Sequence, residues 1–184
     1  MGYIHIVGGE VKGRKIVAPS EKGVRPAQGF LRKAIFDIIR SDIQGKVVVD
    51  LFAGSGSLGL EALSRGAEKA YFLEKESRVC RIIKSNIDRC GFSNRAEVIK
   101  IDFLRTKNLP QFADKIDFLF CDPPFAQEPG KVLAKIYNFK VVFDQSLIII
   151  RFLEGRDLAD CRSFFRFEDI RQYGKSVIAF GFLV

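Results

Sequence analysis

From residue 45 onward, short runs rich in β-branched and aromatic residues recur at 47–51, 70–73, 96–101, 116–121 and 147–152, with helical patterns between them. Few folds accept that order. Strands separated by helix-length segments pair in parallel, because each crossover returns the chain to the same end of the sheet. The segment 76–90 illustrates it: Val79, Ile83 and Ile87 fall on one helical stripe, and Gly91 follows as a stop. After the fifth run, 164–173 and 176–184 flank Gly174 without room for a helix, which predicts an antiparallel hairpin. The expected fold is α/β: a Rossmann-like, seven-stranded, mostly parallel sheet closed by an antiparallel C-terminal hairpin. A dinucleotide-binding sheet differs in keeping its last strands parallel as well.

Ahead of this core, 4–7 and 11–18 flank Gly8 and Gly9 and read as a small hairpin turning at the glycine pair. From 28 to 40, Leu31, Ile35, Ile38 and Ile39 recur at helical spacing and give one face to bury. The expected division is an N-terminal basic hairpin-and-helix extension, 1–44, beside a main domain, 45–184. Up to residue 33 the chain holds Lys12, Arg14, Lys15, Lys22, Arg25, Arg32 and Lys33 against Glu10 and Glu21, which is +5 of its net +8. A basic extension on a nearly balanced body is either a solvated face or the electrostatic footprint of a nucleic acid.

The first chemical motif is "VVVDLFAGSGSLG", where Gly54, Gly56 and Gly59 form GxGxxG between a strand and a helix. Alone it is a weak signal. Glu74 ends the next strand twenty residues after Gly54, where an acid that binds a ribose belongs. Asp50 narrows the ligand: a carboxylate before the loop repels a pyrophosphate but favours the ammonium and sulfonium of S-adenosylmethionine. The structural alternative is a glycine turn with Asp50 as a helix cap. Asp102 brings a third carboxylate to a strand tip, followed by Phe103, and suits an adenine amino group packed beside the ring. Three acids at successive strand ends line the crevice where open α/β sheets bind ligands.

The fourth strand ends in "FLFCDPPF". Proline fixes φ and has no N–H, so the carbonyls of Asp122 and Pro123 are held as preorganised acceptors, with Pro124 stiffening the turn. Phe125 offers a flat apolar face. A carboxylate, a rigid carbonyl and an aromatic plate suit a planar heterocycle with an exocyclic amine, which must be unpaired or flipped to reach them.

Cys80, Cys90, Cys121 and Cys161 form no CxxC pair and have only His5 as an imidazole companion, so no metal site is expected. No apolar stretch approaches the roughly 18 residues of a membrane span, and the N-terminus has no leader pattern. A soluble, cytoplasmic protein with reduced thiols is expected.

In order and with nearly the family's spacing, "IVGGEVKGRKI", Arg25-Pro26, "LRKAIFDII", "DLFAGSGSLGLEALSRGA", "FLEKE" and "CDPPF" resemble the bacterial 16S rRNA (guanine(966)-N(2))-methyltransferase family. That family belongs to the class I S-adenosylmethionine-dependent methyltransferases with an (Asp/Asn)-Pro-Pro-aromatic motif. The resemblance runs from Ile6 to Phe125 and weakens beyond. Three features depart from it: Ala27 and Gln28 stand where threonines are usual, Leu31-Arg32-Lys33 replaces Val-Arg-Glu, and Arg151 ends a fifth strand that often ends in glutamate.

The resemblance implies direct in-line methyl transfer to guanine N2 of 16S rRNA or the small ribosomal subunit, by a monomer without metal. It implies a catalytic set of Asp122, Pro123, Pro124 and Phe125. Asp50, Phe52, Ala53, Gly54, Gly56, Glu74, Lys75, Asp102 and Phe103 would hold S-adenosylmethionine, and Arg14, Lys15, Arg25 and Arg32 would meet RNA. Adenine-N6 methylation shares the DPPF motif and is the alternative, with non-catalytic RNA binding behind it.

Overall fold

The structure, a computed structural model, describes residues 2–19, 26–124, 126–140 and 142–184; of residues 26–28 and 41 it describes the backbone alone. A two-stranded antiparallel ribbon, β1 (Gly2–His5) and β2 (Lys15–Ala18), precedes the helix α1 (Pro26–Ile38). The main sheet follows as β3 (Val47–Asp50), β4 (Lys69–Glu74), β5 (Ala96–Lys100), β6 (Phe118–Cys121), β7 (Leu147–Leu153), β8 (Phe165–Tyr173) and β9 (Ser176–Leu183). Its seven strands lie in the order β5-β4-β3-β6-β7-β9-β8; the first five are parallel and β9 runs antiparallel to both neighbours. The expected strands and closing hairpin are all present.

Strand alternation sorts the core into two layers. Val48, Ala70, Phe72, Phe118, Phe120 and Ile149 face one side, where they meet α1, α2 (Ser57–Ser64) and α3 (Ser77–Cys90). Val47, Val49, Tyr71, Leu73, Leu119 and Ile150 face the other, against α4 (Pro129–Tyr137) and the β5–β6 crossover. Both faces are covered, so β3 and β6 are buried along their whole length, as parallel strands usually are. The β5–β6 crossover contains no helix among the described residues; Phe103, Leu104, Leu109 and Phe112 anchor it to the second layer instead.

Two N-terminal expectations need correction. The first ribbon strand lies two residues earlier than the sequence pattern suggested and the second is half as long, and residues 6–14 form a loop closed by Ile6 N–H to the Arg14 carbonyl and Gly13 N–H to the Ile6 carbonyl, 3.0 and 2.8 Å. Gly8 and Gly9 lie inside this loop, where Gly9 opens a turn by accepting from Lys12 N–H at 3.2 Å, and they are also contact points. A Cβ on Gly9 would lie 1.8 Å from the Ser64 carbonyl, and Glu10 N–H donates to that carbonyl at 2.7 Å. Leu31 and Ile35 on α1, and Ile39 just past its end, are buried as expected, but Ile38 is exposed and Phe36 takes its place in the core. All four cysteines are buried and unbonded.

Candidate active site

The C-terminal ends of β3 to β7 open into one cleft of about 570 Å³. Asp50, Glu74, Asp102, Asp122 and Arg151 line it from five neighbouring strand ends, and Ile4, Ala18, Leu31 and Arg32 close it from the N-terminal side. This is where an open α/β sheet binds its ligand.

The glycine loop is built by backbone demands. Gly54 and Gly56 adopt φ of 53° and 77°, a left-handed region costly for a side chain, and Gly59 lets α2 approach β4 closely. A Cβ at Gly59 would stand 2.4 Å from the Phe72 ring. Held there, Gly59 N–H donates to Asp50 Oδ2 at 3.1 Å, and Gly54 N–H to Glu74 Oε2 at 3.1 Å. Glu74 Oε1 accepts from Glu76 N–H at 2.9 Å, which fixes the carboxylate plane.

Asp50 is 1% exposed, and Gly59 supplies its one hydrogen bond among the described residues. Burial pushes its carboxyl up to about 7; Gly59 N–H opposes this, while the nearby charges of Asp122 and Glu74 add to it. Such an enclosed, under-satisfied carboxylate favours a cationic ligand group. With Glu74 as an acceptor for hydroxyls, and Asp102 and Lys75 at the rim, the side chains fit S-adenosylmethionine, whose ammonium and sulfonium are both positive. Phe52 and Ala53 line the same wall.

Phe103 lines the cleft next to Asp102. Its ring is 2% exposed, edge-on to Phe52 at 5.9 Å and tilted against Phe139 at 5.9 Å, so it is a buried wall of the cleft rather than an open plate. Asp102 stays half-buried, 3.7 Å from the Arg105 guanidinium.

Asp122 follows β6 and keeps 30% of its side chain exposed in the cleft. Its Oδ1 accepts from Arg151 Nε at 2.6 Å. Burial pushes its carboxyl up, and Arg151, by charge and by hydrogen bond, draws it back. Pro123 is buried, Pro124 is exposed, and the Pro124 carbonyl accepts from Gln127 N–H at 2.8 Å to turn the chain. Phe125 lies outside the described residues.

Of the expected RNA-facing residues, Arg14 at the end of the loop and Lys15 at the start of β2 are exposed, with Lys15 Nζ 5.3 Å from the Tyr3 ring. Arg25 lies outside the described residues. Arg32 is a correction: it is 5% exposed, donates to the His5 carbonyl at 2.5 Å and stands 3.4 Å from Glu61 Oε2. Glu61, itself buried, also accepts from Val7 N–H and Arg65 Nε, each at 2.8 Å. A guanidinium so committed ties α1 and the ribbon to α2 and is withdrawn from the phosphate contacts.

The family described as "Conserved hypothetical protein 95" matches residues 4–181. The chain belongs to this family. Among relatives of the family, the protein named Ribosomal RNA small subunit methyltransferase D from Haemophilus influenzae is 39% identical over 129 residues, which are 67% of this chain and 65% of that protein. Its namesake from Escherichia coli is 36% identical over 127 residues, 67% of this chain and 61% of that protein. The chain thus spans just under two thirds of the length of these relatives. A solved structure described as the putative methyltransferase yhhF from Escherichia coli superposes with a TM-score of 0.80 and 26% identity, covering 99% of this chain and 98% of that one. The fold is that of the class I methyltransferases. No helix among the described residues is long and apolar enough to cross a membrane, and no cluster of three metal-ligating side chains occurs among them.

Proposed function

We propose that this chain transfers a methyl group from S-adenosylmethionine to the exocyclic N2 of a guanine in 16S ribosomal RNA. The observation that carries the reading is the meeting of Asp122, at the tip of β6, with Asp50, Glu74 and Asp102 in one cleft. Family membership and the ribosomal RNA named for its relatives support the substrate class.

When bound, S-adenosylmethionine supplies a methyl carbon already activated by its sulfonium. Asp50 would neutralise the ammonium, Glu74 would accept from the ribose hydroxyls, and Asp102 from the adenine amino group. Asp122 and the Pro123 carbonyl would accept the two amine hydrogens, which aims the nitrogen lone pair at the methyl carbon. As the methyl passes to nitrogen its bond to sulfur would break and leave a neutral thioether, and the nitrogen would release one proton, to Asp122 or to water. Phe125 would stack the base. The protein's contribution is chiefly placement, which is worth up to roughly 7–11 kcal/mol for a well-oriented pair. Extruding the base costs a few kcal/mol, offset by phosphate contacts of Arg14 and Lys15 at the entry to β2 and of Arg25. Such a substrate sets the reaction in the cytoplasm, and a single chain contains every residue invoked.

The test is transfer of tritiated methyl to small ribosomal subunits and to free RNA from a strain without its guanine-N2 enzyme, followed by nucleoside analysis. N2-methylguanosine, absent with Asp122→Ala, is the expected product. Label in N6-methyladenosine, or none, overturns the guanine reading.

A further inference from the structure

We propose that Arg151 is a positioning residue for this transfer: its guanidinium fixes the Asp122 carboxylate and holds it as an acceptor for the target amine. The inference rests on the preceding reading only in giving Asp122 an amine to meet. Its basis is geometric. Cys121 pairs with Ile150 across β6 and β7, so Asp122, the first residue past β6, stands beside Arg151, which β7 still holds in the sheet against Ile178 of β9. Arg151 Nε lies 2.6 Å from Asp122 Oδ1, and Arg151 is 13% exposed, so water screens the pair little. Asp122 Oδ2 has no hydrogen-bond partner among the described residues. One oxygen is held and the other points to work.

The surroundings make such a partner necessary. Asp50 on β3 and Glu74 on β4 bring like charge to the same cleft, Asp102 stands beyond them after β5, and Arg32 on α1 is already committed to Glu61. Cys121, the preceding residue, is a buried neutral thiol. Burial favours a protonated Asp122, and Arg151 is the cation in contact with it that opposes this, by charge and by hydrogen bond. Protonation matters because an amine N–H needs an acceptor, and a carboxylic acid presents a donor in its place. On a guanine edge, where N1–H adjoins the amino group, an ionised carboxylate can accept from both.

Two readouts test the assignment. The first needs no substrate: ¹³C-carboxyl NMR of aspartate-labelled protein follows the titration of Asp122, assigned by its loss in Asp122→Asn. Arg151→Met, which keeps length and removes charge, should move that titration to higher pH by about one unit or more, and Arg151→Lys should restore most of the shift. The second is the single-turnover rate of methyl transfer against pH. Raising the Asp122 pKa enlarges its protonated fraction at low pH, so Arg151→Met should fall behind wild type on the acid side, by up to about tenfold per unit of that shift, and recover as pH rises. Loss of packing alone would lower the rate equally at every pH. Cofactor affinity by calorimetry should stay within about twofold of wild type in both variants. If Arg151→Met does not fold, Arg151→Gln is read in the same way. An unmoved Asp122 titration in the neutral variant overturns the inference, even where the wild type forms N2-methylguanosine. A shifted titration in a protein that methylates adenine leaves the inference standing and removes the guanine reading.

Discussion

Asp50 shows how a single buried acid couples folding to pH. Its pKa rises from 3.8 to about 7 on folding, so between those values the folded chain binds a proton that the unfolded chain does not. Stability from this group is therefore greatest at low pH and is lost as pH rises through about 7, by up to about 4 kcal/mol. Cofactor-free wild type should melt at lower temperature near pH 8 than near pH 5.5, and Asp50→Asn should flatten that slope; equal slopes in the two proteins would remove Asp50 as the cause. Because the cofactor ammonium requires the ionised form, affinity for S-adenosylmethionine should move in the opposite direction and rise with pH.

The element that ties the N-terminal ribbon to the cofactor loop is α3, through one side chain. Asn86 is fully buried; its Oδ1 accepts from Val17 N–H at 2.8 Å, and its amide donates to the Val17 and Ser55 carbonyls, each at 2.9 Å. Asn86→Ala leaves three backbone groups short of a partner and should cost on the order of 3 kcal/mol in urea unfolding, with weaker cofactor binding through the freed Ser55. Sequence periodicity could not reveal this brace, because a lone polar residue on a helix carries no mark of the strand it will meet. The same limit applies to Gly8 and Gly9: a glycine pair between two apolar runs has the local signature of a turn, whereas the Ser64 carbonyl of another element, which leaves no room for a Cβ at Gly9, leaves no mark in the local pattern. The five parallel strands were legible because both layers of the sheet write their alternation into the chain. Arg32 misled because basic residues at a helix start suggest solvent, although Glu61 within the apolar run of α2 was a visible sign of a buried ion pair. Arg151 departs from the family pattern, and the role proposed for it depends on β6 and β7 being neighbours.

Across the molecule, charge divides the proposed labour. The acids gather at the strand ends, while Arg14 and Lys15 stand exposed at the entry to β2, whose other end closes the cleft. Replacing both by alanine should weaken binding to all RNAs alike and reduce the slope of log affinity against log salt by about 1 to 2; an unchanged slope would point to another surface. Strand order has a further effect, on the chain as it is made. Val48 in the interior strand β3 pairs with Phe118, some seventy residues later, so β3 has its β4 edge covered early and its β6 edge bare until the second half emerges. At roughly 5–20 residues per second, a nascent chain exposes that apolar edge for about 4–14 s. Any factor that shelters new chains as they leave the ribosome would find its target in this interval.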